Sequence, residues 1–395
     1  MTRRIFSKPR VALFTGAYNH VADGVSLTLN RLVSYLLERG IEVEVFAPTV
    51  SDPPLQAQGT LVPVTSVAIP GRREYRLALG LTSQAQRSLA AFQPSVVHLA
   101  TPDLLGYQAL LWAKGRRLPV TATFHTQYRS YLKYYGLQAL ESALWRYLRH
   151  FYNSCDSVAV PSNGIVNLLR EQGVTTRLEL WQRGVDTALF APQRRSLPYR
   201  RSFGFRDHEP VILFVGRLVK EKGLEAFARV LEHLGASGVA HHSLVVGEGP
   251  LRATLERRLP DTQFTGRLSG EALARAYASS DIFLFPSDTE TFGSVVLEAM
   301  ASGLPVVAAD VDAFKGLVKH GRTGYLAPAQ HITELSRLVG HLATQPALRS
   351  AMGHHAVQDA KSLCWNHVLA QMLSHYHTLQ NSYSLTPFTF SEATQ

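Results

Sequence analysis

Two glutamates with a glycine between them mark the part of the chain best suited to bind a polar ligand. Glu290 and Glu298 flank a Phe-Gly step whose glycine is Gly293. The apolar run at 281–285 predicts a buried strand, and the Ser-Gly-Leu-Pro sequence at 302–305 predicts a helix end. Gly293 then lies near a helix start, where unpaired backbone amides suit a phosphate, and carboxylates accept paired hydrogen bonds from sugar hydroxyls. The segment therefore predicts a sugar-nucleotide site, with an ordinary helix bearing surface glutamates as the alternative.

Two basic residues follow another predicted strand. Arg217 and Lys222 lie in the sequence Gly-Arg-Leu-Val-Lys-Glu-Lys-Gly at 216–223, directly after the apolar run at 210–215. Fixed cations at the carboxyl end of a strand would neutralise a diphosphate that becomes a leaving group. A helix N-terminus with solvated basic residues is the alternative interpretation.

Two further candidates follow predicted strands of the first half. His125 comes directly after the apolar run at 120–124, where a parallel sheet would place a ligand, although a single histidine more often has a structural role. The loop at 16–25 follows the first predicted strand and contains Asp23 and Gly24, without the Gly-x-Gly-x-x-Gly dinucleotide fingerprint. A mere connecting loop is its alternative interpretation.

The elements around these candidates predict two α/β domains, each with a doubly wound parallel sheet. A chain of 395 residues is long enough for two cores, and the strand, glycine loop, helix, strand pattern of 10–47 restarts at 210. We expect a first domain over 1–190 and a second over 191–364, with a polar, proline-bearing joint near 187–209. Ligands of open α/β sheets bind outside the carboxyl ends of the strands, so the cleft between two such domains is the expected site.

The charge distribution favours an anionic partner. The net charge is +10, and residues 1–186 hold 20 Lys and Arg against 12 Asp and Glu, whereas residues 187–395 hold 20 against 18. An excess of +8 in the first half suits the cytoplasmic face of a membrane or an acidic acceptor, with a solvated basic face as the alternative. No recognised nucleic-acid module appears, so no nucleic-acid partner is expected.

The sequence also predicts a location. No apolar run reaches the length of a membrane span, and the basic N-terminus lacks the apolar core of a secretory signal. Aromatic and basic residues are interleaved over 128–152, which suits a membrane interface as well as it suits a packed helix with solvent-reaching arginines. We expect a cytoplasmic protein bound peripherally to the inner face of the cell membrane, with Asp23, Tyr128 and Arg129 as candidates for acceptor binding.

Taken together, the motifs resemble those of the retaining GT-B glycosyltransferases of family 4. The resemblance rests on Glu-x7-Glu with its Glu-Ala-Met-Ala-Ser-Gly-Leu-Pro tail, on Gly-Arg-x4-Lys-Gly, and on Phe-His-Thr at 124–126. It extends over roughly 10–379 and implies an α/β, GT-B fold, in which two Rossmann-like doubly wound domains face a central cleft. In that fold the last helix, here about 365–380, completes the first domain, and residues 381–395 would form a flexible tail.

The resemblance implies a role for each matching residue. Arg217 and Lys222 would contact the donor phosphates, Glu290 the sugar hydroxyls and Glu298 the ribose. His125 would hydrogen-bond a donor hydroxyl rather than act as a general base. The implied catalytic residues are His125, Arg217, Lys222 and Glu290, and the implied donor contacts are Gly24, Arg217, Lys222, Leu268, Glu290, Phe292, Gly293, Ser294, Val295 and Glu298. No metal ion or other cofactor is implied, because the two cations would stabilise the leaving group.

Within that family the chain resembles a narrower branch of lipid-directed mannosyl-, sulfoquinovosyl- and glucuronosyl-transferases. The branch implies retaining transfer of a hexosyl group from a nucleotide-diphosphate sugar to a membrane lipid or lipid-linked acceptor. GDP-mannose is favoured over a UDP-hexose or UDP-hexuronic acid, although Ser294 departs from the bulkier residue common in the wider family. Two alternatives stay open: a nucleotide-sugar epimerase or hydrolase of the same fold, and a catalytically silent sugar-nucleotide- or membrane-binding protein.

Overall fold

The structure is a computed structural model that describes residues 8–69, 72–125, 140–290 and 292–384. Helices and parallel strands alternate along the chain, as expected for doubly wound sheets. None of the helices in the described ranges combines the length and the apolar character needed to cross a bilayer.

The described residues form two compact units. The first contains the chain up to Pro161, then Ile165–Trp181 and the chain from Leu369 onward. The second contains Ser162–Gly164 and Gln182–Val368. The main division therefore falls between Trp181 and Gln182, nine residues before the boundary expected at 190.

The first unit is built on parallel strands, of which the central ones are buried on both faces. Its elements are β1 (Arg10–Phe14), α1 (Gly24–Glu38), β2 (Glu42–Ala47), β3 (Thr60–Pro63), β4 (Ser66–Ile69), β5 (Arg72–Ala78), α2 (Ser83–Phe92), β6 (Val96–Leu99), α3 (Leu104–Gly115), β7 (Val120–Thr123), α4 (Glu141–Asn153), β8 (Ser157–Val160), α5 (Asn163–Glu171) and β9 (Arg177–Leu180). Among the described residues seven strands form one sheet in the order β3-β2-β1-β6-β7-β8-β9, with β4 and β5 in a separate antiparallel ribbon. The strand order reverses between β1 and β6, which is where open α/β sheets bind ligands.

The second unit repeats this plan. Its elements are short 3₁₀ turns at Pro192–Arg194 and Lys220–Lys222, and α6 (Leu197–Arg201), β10 (Val211–Val215), α7 (Leu224–Ala236), β11 (His242–Val246), α8 (Arg252–Arg258), β12 (Gln263–Gly266), α9 (Gly270–Ala278), β13 (Ile282–Phe285), α10 (Ser294–Ala301), β14 (Val306–Ala309), α11 (Asp312–Lys315), β15 (Gly324–Ala327), α12 (Ile332–Thr344) and α13 (Pro346–Lys361). In the described part of the chain its sheet has the order β12-β11-β10-β13-β14-β15, and the reversal lies between β10 and β13. Two Rossmann-like doubly wound halves, as predicted from the sequence, are therefore confirmed.

The segment after Trp181 packs within the second unit. Arg200 on α6 is 1% exposed and donates to Asp281 Oδ2 at 2.6 Å and to the Ser279 carbonyl at 2.9 Å. Arg195 pairs with the other Asp281 oxygen at 2.8 Å, and the Val211 amide donates to Oδ2 at 2.8 Å. A buried guanidinium needs such partners, so these contacts hold the expected joint against the start of β13.

The last helix, α14 (Trp365–Ser384), belongs mainly to the first unit. The Tyr376 hydroxyl lies 2.7 Å from His98 Nδ1 on β6, and His375 Nε2 lies 2.9 Å from Ser157 Oγ on β8. Tyr383 donates to Asp156 Oδ1 at 2.7 Å. These polar contacts join the helix to β6, to β8 and to the residue before β8, and they fix the helix in one register.

Candidate active site

The basic and the acidic loop of the second unit meet where its strand order reverses. β10 pairs with β11 on one side and with β13 on the other, so the loops after β10 and β13 are neighbours. Gly223 ends the first loop with φ +72°, and a Cβ added there would lie 2.2 Å from the Pro286 carbonyl oxygen. Only glycine satisfies both the left-handed backbone and this close approach. The 216–223 loop therefore packs directly against the loop that contains Glu290.

Lys222 and Glu290 form an ion pair across these two loops. Their side chains are 20% and 15% exposed, so the pair is shielded but accessible. Ser287 Oγ lies 3.2 Å from both Glu290 Oε1 and the Glu221 carbonyl, and Thr289 Oγ1 donates to that carbonyl at 3.0 Å. The hydroxyls of Ser287 and Thr289 therefore connect the loop that contains Glu290 to the turn that contains Lys222.

Gly293 turns the chain into α10 directly after this pair. Its φ is +91°, and a Cβ added there would lie 2.5 Å from Phe314 Cε1. Phe292 is 2% exposed and packs in the core, so its side chain anchors the turn. Ser294 and Val295 are half-buried in the first turn of the helix. The first amides of a helix have no partner within it and form a positive dipole end, which suits a phosphate.

Glu298 lies on the same helix and is held by a tyrosine. The Tyr277 hydroxyl donates to Glu298 Oε2 at 3.0 Å, and Tyr277 itself is fully buried on α9. Burial, together with the neighbouring carboxylate, raises the pKa of Tyr277 well above its ordinary value, so the hydroxyl remains a donor. The half-buried Glu298 carboxylate is thereby oriented by a residue from a different helix.

Arg217 and Leu268 occupy the edges of this arrangement. The Arg217 side chain is 69% exposed, and its Nη2 atom lies 3.9 Å from Glu221 Oε1. The following residue, Leu218, donates its amide to the Glu248 carbonyl at 2.8 Å, which ties the β10 loop to the β11 loop. Leu268 follows β12 and packs, half-buried, against the core of the unit.

In the first unit, Asp23 caps α1. Its Oδ1 accepts the amides of Val25 and Ser26 at 3.0 and 2.9 Å, which satisfies two donors at the helix start. Gly24 is the first residue of that helix, and its carbonyl accepts Thr28 Oγ1 at 2.7 Å. The Asp23 carboxylate is therefore stabilised by backbone donors at the start of α1.

His125 follows β7 and is half-buried. Its ring lies edge-on to Trp181, with the ring centroids 6.1 Å apart, and Trp181 also meets His98 edge-on at 6.5 Å. The two remaining acceptor candidates, Tyr128 and Arg129, lie outside the described residues.

The structure adds residues that the sequence analysis did not single out. In the second unit they are Tyr277 and Ser287, which orient the two glutamates. In the first unit, Thr101 Oγ1 accepts the Gly16 amide at 2.9 Å and donates to Asp103 Oδ2 at 3.1 Å, which joins the loops after β1 and β6. Burial raises the pKa of Asp103, whose other oxygen accepts the Gly106 amide. Tyr277 is 21 positions from Glu298 and Thr101 is 85 positions from Gly16, so no local spacing signals these two contacts. Ser287 and Asp103 lie within three residues of their partners, and Asp103 before a helix is a recognisable N-cap signal.

The second-unit cluster can bind an anion and a polyol side by side. Lys222, Arg217 and the start of α10 supply positive charge, while Glu290 and Glu298 supply acceptors for hydroxyls. Across the described ranges, no three His, Cys, Asp or Glu side chains are grouped so that they could hold a metal ion.

Sequence profiles of two families match consecutive parts of the chain. The profile described as Glycosyltransferase Family 4 matches residues 22–189. The profile described as Glycosyl transferases group 1 matches residues 197–359. Together the two matches span both units.

Curated relatives are similar over nearly the whole chain. A GDP-mannose-dependent alpha-mannosyltransferase of Mycobacterium tuberculosis is 34% identical over 376 residues, which are 94% of this chain and 97% of that protein. A sulfoquinovosyl transferase of Arabidopsis thaliana is 31% identical over 370 residues, which are 91% of this chain and 72% of that protein.

A solved structure shows the same fold. Sucrose-phosphate synthase from Thermosynechococcus elongatus matches with a TM-score of 0.76 and 21% identity, covering 95% of this chain and 100% of that one. At this identity the match establishes the shared GT-B architecture alone.

Proposed function

The chain belongs to the family 4 glycosyltransferases, which have the GT-B fold and use nucleotide sugars, and on that basis we propose that it transfers mannose from GDP-mannose to a membrane lipid or lipid-linked acceptor. The mannosyltransferase relatives support the donor. Relatives named as sulfoquinovosyl transferase and alpha-monoglucosyldiacylglycerol synthase support a lipid acceptor.

The observation that carries this proposal is the ion pair between Lys222 and Glu290 beside the N-terminus of α10. A cation and a carboxylate in contact provide adjacent positions for a phosphate and a sugar hydroxyl. Because the pair is 20% and 15% exposed, a bound donor would exclude water from it, and its electrostatic interactions would strengthen.

We assign the following roles. Lys222, Arg217 and the amides after Gly293 hold the diphosphate, and they stabilise it as negative charge develops on the leaving group. Glu290 accepts hydrogen bonds from sugar hydroxyls, Glu298 accepts them from the ribose, and His125 bonds a donor hydroxyl. The backbone at Gly24 approaches the phosphates, and Leu268 borders the base. No metal ion enters this scheme.

The proposed transfer retains the anomeric configuration. The bond between the sugar carbon and the phosphate oxygen breaks, the transition state has oxocarbenium character, and the acceptor oxygen bonds to the same face of that carbon. The acceptor proton passes to the departing phosphate, which becomes the nucleoside diphosphate. Atoms and charges balance without a separate base on the protein.

The proposed location follows from the acceptor. A lipid acceptor is reached at a membrane surface, so we place the protein in the cytoplasm, bound peripherally to the inner face of the cell membrane. The excess positive charge of the first half supports this assignment, because anionic leaflets attract basic surfaces.

Calorimetric titration of the purified protein with GDP-mannose, UDP-glucose and UDP-glucuronic acid, without added metal, tests the donor. We expect binding of GDP-mannose that is lost in Glu298→Ala and kept in Glu334→Ala, a matched change on α12 at an exposed glutamate paired with Arg337. Preferential binding of a UDP-sugar would overturn the GDP-mannose assignment. Undiminished affinity in Glu298→Ala would overturn the ribose assignment.

A second measurement separates transfer from the two alternatives. GDP-[¹⁴C]mannose is incubated with the protein and diacylglycerol-type lipid, and label is followed into the organic phase. Labelled lipid identifies a transferase, while an altered nucleotide sugar or free sugar formed without lipid identifies an epimerase or hydrolase. Donor binding without any turnover would identify a silent binding protein.

A further inference from the structure

The β4–β5 ribbon is separate from the seven-stranded sheet of the first unit. Its strands are antiparallel, with Val67 opposite Leu77 and Ser66 opposite Ala78. The pairing extends one residue further, since the Leu79 amide donates to the Thr65 carbonyl at 2.8 Å. The ribbon is therefore a defined two-faced element rather than a loop.

The inner face of the ribbon meets the core of the unit at Ala78. Successive side chains of a strand point to opposite faces, so Ser66, Arg76 and Ala78 share one face. Ala78 is 1% exposed and belongs to the core of the unit. Arg76 on β5 donates to Ser66 Oγ on β4 at 2.8 Å and to its carbonyl at 3.0 Å, which ties the two strands together on this face.

The outer face is apolar where a polar face is expected. Val67, Leu77 and Leu79 are 47%, 48% and 48% exposed, and the half-buried Tyr75 shares their face by alternation. An antiparallel sheet with one solvated face normally places polar side chains there. Contiguous exposed apolar patches on folded proteins are typical of surfaces that contact another molecule or a membrane.

The charge of this part of the chain and the size of the outer face indicate what covers it. Residues 1–186, which include the ribbon, carry a net charge of +8, and the sequence from 71 to 76 contains three arginines and one glutamate, although Arg76 itself lies on the inner face. A stable protein interface buries about 800 Å² on each partner. Three half-exposed aliphatic side chains supply only a small part of that area. Insertion into the headgroup region of a bilayer needs no matching flat surface, and it combines apolar burial with attraction of basic residues to anionic lipids.

We propose that the β4–β5 ribbon is the element by which the protein engages an anionic lipid bilayer, with Val67, Leu77 and Leu79 entering the boundary between headgroups and acyl chains. This inference rests on the lipid acceptor of the proposed function. The ribbon follows directly on β3, an edge strand of the sheet.

Vesicle sedimentation tests the proposal on the full-length protein. We expect binding to phosphatidylcholine vesicles containing phosphatidylglycerol and weaker binding to phosphatidylcholine alone. Val67→Thr/Leu77→Thr keeps strand-forming residues but removes the apolar surface, and it is expected to weaken binding about ten-fold. Leu111→Gln, at a 55% exposed leucine on α3, is the matched control and should bind like wild type. Equal binding by wild type and the ribbon variant overturns the proposal.

A fluorescent label reports the position of the ribbon directly. The chain has two cysteines, of which Cys155 is buried, so Cys364→Ser provides a background for single labelling. An environment-sensitive dye at Leu77→Cys should shift to the blue on vesicle addition and be quenched by lipids that carry a quencher on the acyl chain. The same dye at Leu111→Cys should do neither. A shift at position 111 with none at 77 would show that another surface contacts the lipid.

The failures of this inference and of the proposed function can be told apart. If wild type transfers mannose to detergent-dispersed diacylglycerol but binds no vesicles, the ribbon proposal fails alone. If the ribbon variant loses vesicle binding while wild type transfers from no donor, the proposed function fails alone. If the ribbon variant changes from dimer to monomer in lipid-free solution while vesicle binding is unaltered, the ribbon is an interface between copies and the membrane assignment is overturned.

Discussion

At the scale of single residues, the contact between Lys222 and Glu290 connects the residue proposed to bind the phosphate with the residue proposed to bind the sugar. Each side chain neutralises the other, and together they are fastened by Ser287 and Thr289 to adjoining loops. In the proposed function, a phosphate that approaches Lys222 would compete with Glu290 for the ammonium group and leave the carboxylate available for a sugar hydroxyl. We therefore expect binding of the phosphate and recognition of the sugar to be coupled at this site.

The first prediction concerns this pair. Lys222→Ala removes the partly shielded cation beside the leaving group and is expected to lower kcat about 10²- to 10³-fold with a smaller change in donor Kd. Lys220→Ala changes an exposed lysine on the same turn and should leave both values near wild type. Single-turnover kinetics with radiolabelled donor measure the effect, and full turnover by Lys222→Ala would exclude its role in the leaving-group step.

The second prediction concerns the hydroxyl that orients Glu298. Tyr277→Phe removes the 3.0 Å hydrogen bond and should weaken donor binding about five-fold, since one such bond is worth about 1 kcal/mol. Tyr199→Phe is the control, because its buried hydroxyl has no hydrogen-bond partner in the described part of the chain. Calorimetry measures the donor affinity of both variants. An equal loss of affinity in Tyr199→Phe would point to a general effect on packing.

At the scale of elements, glycines set how closely the loops approach. Gly223 touches the backbone at Pro286, and Gly293 lies against Phe314. Each has a positive φ, so the conformation and the contact both exclude a side chain. Backbone packing therefore holds the loops after β10 and β13 rigidly together. The candidate site residues Lys222 and Glu290 project from these two loops.

The third prediction separates the effect of the positive φ at Gly223 from the effect of its close approach to Pro286. Gly223→Ala places a methyl group against the Pro286 carbonyl and should both lower stability by more than about 1 kcal/mol and reduce donor affinity. Gly238→Ala follows α7 with a similar φ of +68° and no atom within 4 Å of the added Cβ. It should cost about 1 kcal/mol and leave donor affinity unaltered. Chemical denaturation and calorimetry check both variants, and identical behaviour would show that the close approach contributes nothing.

At the scale of the whole molecule, buried histidines make stability depend on pH. Burial lowers the pKa of His98 to about 3, with His375 adding a smaller effect, and burial also lowers the pKa of His375 and of His20. All three belong to the first unit, and His98 contacts Tyr376 and Thr123 as a neutral ring. In the unfolded chain these rings take up protons near pH 6.5.

The fourth prediction follows from the difference between the pKa of the buried histidines in the folded protein and in the unfolded chain. The folded-state pKa lies below the unfolded value, so the stabilisation is complete above pH 6.5 and is lost as the pH falls toward 3. For His98 alone the loss between pH 6.5 and 5 is about 2 kcal/mol. His98→Asn should melt at a lower temperature at pH 7.5 but show a shallower pH dependence, whereas His208→Gln, at an exposed site, should retain the wild-type slope. Thermal melts over pH 5–7.5 measure this, and an unchanged slope in His98→Asn would contradict it.

The sequence by itself determined the fold class and the candidate motifs, because their signals are local. An apolar run followed within a few residues by glycine and a charged side chain predicts a strand end followed by a loop, and a strand ends before each of the loops containing Lys222 and Glu290. Family membership then followed from the motifs as a set. The roles of the individual residues stay predictions.

The tertiary structure alone decided which residues meet. Lys222 and Glu290 are 68 positions apart and touch because β10 pairs with β13, and Tyr277 reaches Glu298 from a different helix. Likewise, alternation in the ribbon shows that Val67 and Leu77 share a face, but only the packing of Ala78 shows that their face points to solvent. Local sequence patterns specify elements, whereas strand order and the choice of buried face come from long-range packing, so contacts across elements cannot be deduced from spacing alone.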